Sequence, residues 1–464
     1  MTNKNYISYK DTSARIVQKE NGYFRYIFSN YIEEYDYLMQ SGLYKELSEN
    51  GLLITHEEVT VDVDDPKVYK LLYPFQIPFQ SYPFEWVYTQ WRTAILAYLK
   101  INQIALKYGM ILKDATPYNF YMAEGKAIMI DTSSFVFFKP GDQWLAYRQF
   151  CEEFLSPIAL MHYNGQLWST LLMTQLRGLP LHFVSKQLPI ISWFNVTSLL
   201  HIHLHSKFSN KTQEGNNPQK KHKGFSLEKI QSLLSIIEST IISWQNSATS
   251  NNYWEKYYEN DIESDEYLIE KEQLVREWLK ITNPKSVIDL GANTGKFSFI
   301  AKEYSEKIIA LESDYICVDR IQKRIQNEKL KNFNVLIGDF TVPTPNLGLL
   351  NKEFNSIYNR GKSDIVFALA IVHHLYFTFN LSFQHILENI SLLGINHAIV
   401  EFIEIEDEKV SLIRNSRINN EHLTIEYTKE NFENQISVLF EIVAEKRIMK
   451  TRYLYLLKKR ALPV

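Results

Sequence analysis

From about Lys285 to the end of the chain, short apolar runs (SVIDL, KIIAL, NVLIG, DIVFALA, HAIVEFI) alternate with amphipathic stretches of helical spacing. Strand-like runs separated by helical patterns predict a parallel α/β sheet. Upstream, Phe225 to Gln245 places Leu227, Ile230, Leu233, Leu234, Ile237, Ile241 and Trp244 at helical intervals. Between these patterns and the N-terminal half lies Ser209 to Gly224, which contains no aliphatic or aromatic residue and reads as a loop. The first 208 residues mix short strand-like runs with long aromatic helices. Three pieces are therefore predicted: an N-terminal domain over 1–208, a loop and helical bridge over 209–280, and a doubly wound α/β domain over 281–464.

Composition narrows this picture. The chain has 464 residues, 45% apolar and 22% charged, with only 16 glycines and 14 prolines. Such a chain buries sizeable cores and is neither disordered nor low-complexity. A net charge of −3 gives nucleic acid no global electrostatic attraction. Two distant cysteines, Cys151 and Cys317, exclude a disulfide framework and a cysteine-based zinc module. The start, MTNKNYISYKDTS, has no apolar signal core, and no apolar run reaches the length of a membrane span. A cytoplasmic location is expected. The unusual quantity is the aromatic share, 14%, with 29 Tyr and 27 Phe. Aromatic rings serve core packing first, and they also suit stacking against sugars.

The sharpest chemical pattern is VIDLGANTGKFS, Val287 to Ser298. A strand ends near Leu290, a loop carries Gly291 and Gly295, and a helix is expected from Lys296. Glycines allow close backbone approach, and a helix N-terminus offers free N–H groups. The next strand ends in Glu312, where a carboxylate can accept from ribose hydroxyls. The loop lacks the G-x-G-x-x-G spacing of a pyrophosphate site and instead puts Asp289 just ahead of itself. A carboxylate there repels a pyrophosphate and suits a cofactor bearing ammonium and sulfonium charge.

On these residues the C-terminal half resembles the class I S-adenosylmethionine-dependent methyltransferases. The resemblance implies a Rossmann-like seven-stranded domain closed by an antiparallel hairpin, here FEIVAEKRI and TRYLYLLKK. It implies S-adenosyl-L-methionine held by Asp289, Gly291, Asn293 (in place of the usual middle glycine) and Gly295. It assigns Glu312 to the ribose, Asp339 and Phe340 to the adenine, and Ala368 to the strand end facing the cofactor. A bland alternative for Asp339 is a helix cap. DIVFALA runs into Ile371-Val-His-His-Leu375, so His373 or His374 is the expected base or acceptor-positioning group. The two rings are expected to point different ways. Glu401, ending HAIVE, is expected on the rim of the same site.

The N-terminal half carries a second motif. Lys113-Asp-Ala-Thr-Pro-Tyr-Asn119 gives the D-x-x-x-x-N spacing of Asp114 and Asn119; a hairpin turn at Glu124-Gly125 and a strand ending at Asp131 follow. This resembles the catalytic loop of protein kinases and aminoglycoside phosphotransferases, in which the first Asp orients a hydroxyl and the Asn and second Asp hold magnesium. The resemblance implies a long helix before the loop, over Glu85 to Tyr108. Leu112 replaces the usual His, and residues 1–84 contain no Gly-rich phosphate loop. The fold expected is a degenerate kinase-like α+β domain acting as scaffold; an active Mg-ATP phosphotransferase is the rival.

Taken with SYPFEW, IDTSSF and AYRQFCEEFLSPIALM, nearly the whole chain is similar to a group of bacterial methyltransferases related to the nodulation protein NoeA. That group implies O-methylation of a sugar, glycolipid or other small hydroxyl-bearing acceptor; the charge balance argues for no nucleic-acid partner, and no residues are assigned as metal ligands. A non-catalytic cofactor-binding protein is a further alternative. His201, His203 and His205 would share one face of a strand, where a structural cluster is favoured over a metal site. Lys220, Lys221 and Lys223 read as a solvated run, Glu259 to Glu266 as the N-terminal end of a helix. Trp254, Tyr257 and Tyr258 read as a core helix or a lid.

Overall fold

The computed structural model describes residues 11–60, 65–208, 224–246, 265–415 and 425–461. The chain divides into two compact units: Met1–Thr249 with Leu347–Phe354, and Ser250–Asn346 with Asn355–Val464. The basic run at 220–223 and the aromatic residues Trp254, Tyr257 and Tyr258 lie outside the described residues, as does most of Glu259 to Glu266.

The first unit begins with a four-stranded antiparallel sheet of β1 (Ala14–Lys19), β2 (Gly22–Phe28), β3 (His56–Val59) and β4 (Val68–Pro74), in the order β1-β2-β4-β3. A long helix, Tyr88–Lys107, follows and buries thirteen of its side chains. It delivers the chain to β5 (Met110–Leu112), which pairs with β8 (Phe135–Phe137). Between them β6 (Phe120–Ala123) and β7 (Lys126–Met129) form a hairpin. Its turn residues Glu124 and Gly125 both take positive φ, 52° and 72°, as the hairpin's twist favours.

Residues 209–280 are not a separate bridge. Helix Leu227–Ser243 belongs to the first unit because its apolar stripe (Ile230, Leu234, Ile237, Ile241) is buried in that unit's core. Arg92 fixes its end by donating to the Ile241 and Ile242 carbonyls. Helix Asp265–Thr282 belongs to the second unit.

In the second unit, β9 (Ser286–Leu290), β10 (Lys307–Glu312), β11 (Phe333–Ile337), β12 (Ser363–Ala368) and β13 (Gly394–Ile403) are joined by β14 (Phe440–Met449) and β15 (Arg452–Lys459). The sheet order is β11-β10-β9-β12-β13-β15-β14. The first five strands run parallel, while β15 inserts antiparallel between β13 and β14. Parallel strands are covered on both faces, so they are mostly apolar, and all five residues of β9 are buried. The chain winds outward from β9 to β11 and then returns to β12 on the other side of β9. That reversal opens a crevice at the carboxyl ends of β9 and β12, where doubly wound sheets bind ligands.

Candidate cofactor and acceptor site

The loop of the VIDLGANTGKFS motif, with Asp289 ahead of it, lies at this crevice edge. Asp289 is the next-to-last residue of β9 and is 3% exposed, with Ser298 Oγ donating to its Oδ2 at 2.5 Å. Burial pushes its carboxyl up to about 6; the Ser298 hydrogen bond opposes that rise and the nearby Glu312 adds to it. Gly291 and Gly295 take φ +69° and +82°, values that L side chains rarely adopt. A methyl added at Gly291 would sit 2.8 Å from Ile371 Cδ1, and one at Gly295 would sit 2.9 Å from Ile321 Cγ1. The glycines thus let the loop lie flat against the segment after β12 and the helix after β10. Asn293, also left-handed at φ 49°, stands where an Asn is tolerated in place of glycine.

Glu312 closes β10 and knits this loop to the next. Its Oε2 accepts from the Asn293 N–H at 2.7 Å and its Oε1 from the Asp314 N–H at 2.8 Å. Burial raises its carboxyl above the ordinary range, against those two backbone donors. Asp339 follows β11. Its Oδ1 accepts from both the N–H and the hydroxyl of Thr341 at 2.7 Å, so it caps a tight turn and not a helix. Phe340 beside it is buried. Ala368 closes β12, and two residues on Ala370 adopts φ 55°, a strained conformation for a residue with a Cβ. Such strain concentrates where a loop must meet a ligand.

His373 and His374 lie in the first turn of helix Val372–Phe379. Their rings do not diverge; the centroids are 4.2 Å apart, because the turn folds both inward. His373 is 1% exposed, and its Nδ1 is buried with no hydrogen-bond partner among the described residues. Burial, and then the charge of His374 and of Arg452, Lys409 and Lys271, push the His373 ring well below the usual histidine range. Burial and Lys409 bring His374 down to about 4. Both rings are neutral at neutral pH.

Glu401 is not on the rim. It is fully buried, with Lys271 Nζ 2.5 Å from its Oε2 and the Tyr267 hydroxyl donating to its Oε1. Burial would raise its carboxyl, yet Lys271 and Arg452 hold it below the ordinary range. Arg452 in turn meets Asp407 at 3.0 Å through Nε and at 3.2 Å through a terminal nitrogen. This network of Tyr267, Lys271, Glu401, Asp407 and Arg452 was not found by sequence reasoning. Its signal was a lone acid ending an apolar strand, which a buried position obliges to find a cation.

In the first unit, Asn119 Nδ2 donates to Asp131 Oδ2 at 3.2 Å. Asp131 also takes an ion pair with Arg25 at 2.5 Å and accepts from Ser133 Oγ and N–H at 2.6 and 3.0 Å. Burial opposes its ionisation, but Arg25 holds it below the ordinary range. Asp114 is shifted the other way, raised by burial and by the charge of Asp131. Arg25 was not anticipated; it sits two residues before the fully buried Ile27 on β2, an inward position in the strand's alternation. Among the described residues no three His, Cys, Asp or Glu gather as a metal-holding group. The histidines at 201, 203 and 205 lie on a π-helix, Leu199–Leu204 and its end, and not on a strand. Each has its own structural setting: His201 meets the Tyr147 hydroxyl, His203 meets Ser185 and Ser192, and His205 stacks on Tyr147.

No family model matches the chain. The chain is a homologue of the nodulation protein NoeA of Rhizobium meliloti (strain 1021), 28% identical over 368 residues, which is 78% of this chain and 76% of that protein. Among solved structures it is similar to the N-methyltransferase NodS of Bradyrhizobium japonicum WM9, with 8% identity, 43% of this chain, all of that chain and a TM-score of 0.32. It is also similar to magnesium protoporphyrin IX methyltransferase (ChlM) of Synechocystis PCC 6803 with bound SAH, with 13% identity, 45% of this chain, 93% of that chain and a TM-score of 0.32. Among the described residues no helix is long and apolar enough to cross a membrane.

Proposed function

We propose that the second unit binds S-adenosyl-L-methionine and directs its methyl group to the oxygen of a sugar, glycolipid or other small hydroxyl-bearing acceptor. The observation that carries this reading is the acidic crevice at the reversal of the strand order. Asp289 and Glu312 lie at the carboxyl ends of adjacent parallel strands and Asp339 just beyond a third, and the loop after Asp289 is tied to Glu312 by the Asn293 N–H. Three carboxylates at a crevice are unfit for a pyrophosphate and fit for a cofactor carrying positive charge.

In this reading Asp289, Gly291, Asn293 and Gly295 hold the amino-acid end of the cofactor, Glu312 the ribose hydroxyls, Asp339 and Phe340 the adenine, and Ala368 the wall beneath the methyl. The bound cofactor supplies an electrophilic methyl on a sulfonium. The chain's own residues then have two tasks, to orient the acceptor oxygen and to keep water away. His373 and His374, neutral and weakly basic, suit the first as hydrogen-bond acceptors for the incoming hydroxyl, whose proton leaves the oxygen as the methyl bonds to it and passes to solvent with the products. Rings shifted so far below neutrality are poorly matched to proton removal, which works best near the operating pH. Helix Val372–Phe379, being largely buried, fixes their place.

The first unit, in this reading, is a degenerate kinase-like scaffold that presents the acceptor. Asp131, the group that would hold magnesium in an active phosphotransferase, is engaged instead by the Arg25 guanidinium. The cytoplasm is the compartment proposed. Incubation of the full chain with methyl-labelled S-adenosylmethionine and a bacterial glycolipid extract tests the acceptor class. Label recovered as an O-methyl sugar supports it; label found only on nitrogen, or no transfer with any hydroxyl acceptor, refutes it.

A further inference from the structure

Away from both motifs, the first unit presents an apolar surface with a distinctive charge setting. The short 3-10 helix Ile190–Phe194 and the residues after it expose Ile190, Ile191, Phe194 and Val196, with Ile190 81% and Phe194 80% exposed. Leu200 and Phe208 in the following helical segment are exposed as well. This is not a loose tip. Ser192 Oγ donates to the Pro189 carbonyl at 2.6 Å and lies 2.8 Å from His203 Nε2. Trp193 stacks on His203 with ring centres 4.1 Å apart, and Asn195 caps the next turn through the Ser198 N–H. The polar residues of the segment are spent holding it in place, and the large apolar ones are left facing water.

The segment's own sequence is one-sided in charge. From Phe154 to Gln213 the sequence contains no Asp or Glu, although the whole chain is acidic at −3. Arg177, Lys186 and Lys207 lie inside that stretch, and Lys207 Nζ sits 4.8 Å from the centre of the Trp193 ring. Contiguous exposed apolar side chains mark an interaction surface. A surface of apolar and aromatic residues flanked by Lys186 and Lys207 is complementary to the boundary of a bilayer bearing anionic headgroups. There the apolar side chains enter the acyl boundary, and the indole sits at headgroup level.

We propose that the face around Ile190–Phe194 docks the chain on an anionic lipid surface, lying on the membrane without crossing it. The docking does not depend on methyl transfer. Sedimentation of the full chain with vesicles of phosphatidylcholine alone, and of phosphatidylcholine mixed with phosphatidylglycerol, tests it. The chain should partition onto the mixed vesicles and not onto the neutral ones, and added salt should release it. Ile190→Ser with Phe194→Ser should lower that partition by about tenfold or more. The melting temperature should stay unchanged, since both side chains are already in water. Lys186→Gln with Lys207→Gln, a pair that leaves the apolar residues intact, should weaken binding and flatten its salt dependence. Absence of binding to the mixed vesicles overturns the proposal, and so does binding that neither pair alters. A chain that self-associates in solution through this face, and loses that association in the Ile190→Ser, Phe194→Ser variant while vesicle binding is unchanged, assigns the face to a second copy and also overturns it.

Discussion

Two carboxylates show how burial and charge decide what a residue can do. Asp289 is held up at about 6 by burial. Its unfolded value is the ordinary 3.8, so the folded state binds the extra proton between those two values. The stability this proton brings is complete below pH 3.8 and is lost as pH rises through about 6. Asp289→Asn should therefore flatten the stability profile of the ligand-free chain between those limits, measured by urea melts across pH. A bound cation favours the ionised carboxyl, so S-adenosylhomocysteine, which keeps the ammonium, should bind more tightly as pH climbs through 6. Asp131 is the opposite case, ionised and paired. Arg25→Ala strands a buried carboxylate and should cost about 3 to 5 kcal/mol, read from denaturant midpoints of the first unit's signal. The strand-end places of Asp289 and Glu312, and that of Asp339 just past the next strand, were legible because each follows a short apolar run. Arg25, Lys271 and Arg452 were not legible, since their partners Asp131, Glu401 and Asp407 are remote in sequence.

At the scale of elements, the parallel strands could be read because burial on both faces makes them continuous apolar runs. Helix Leu227–Ser243 was legible for the same kind of reason, a sustained 3.6-residue stripe, and helix Tyr88–Lys107 from the resemblance of the loop that follows it. The π-helix at Leu199–Leu204 was not, because HIHLH alternates as a strand does and only tertiary packing against Trp193, Tyr147 and Ser185 chooses between them. The loop after β9 makes its own prediction. Gly295→Ala puts a Cβ at a positive φ and 2.9 Å from Ile321, and should destabilise the second unit by about 1 to 3 kcal/mol. Ala370→Gly relieves a left-handed residue and should be neutral or stabilising by up to about 1 kcal/mol. If thermal melts show Gly295→Ala harmless, the loop is not constrained as its geometry indicates.

At the scale of the whole chain, the change of texture near residue 285 marks where the parallel strands begin, but which unit the helices at 227–243 and 265–282 join was not legible. Linker composition marks where a chain leaves a core. It does not say which core the next helix joins; that depends on which apolar stripe finds a complementary face. Two units with separate sites should also respond separately. S-adenosylhomocysteine should raise amide-exchange protection across 286–312 and leave 88–131 unchanged, while Mg-ATP should protect neither, since Arg25 already neutralises Asp131. Protection of 113–131 by Mg-ATP would restore the phosphotransferase reading.

The central claim, that the crevice at Asp289 and Glu312 is an S-adenosylmethionine site, is tested most directly by titration calorimetry of the full chain with S-adenosylhomocysteine. Binding to one site per chain is expected, weakened about tenfold or more by Glu312→Ala, with no heat from NAD. Absence of S-adenosylhomocysteine binding, or binding of NAD in its place, would contradict it.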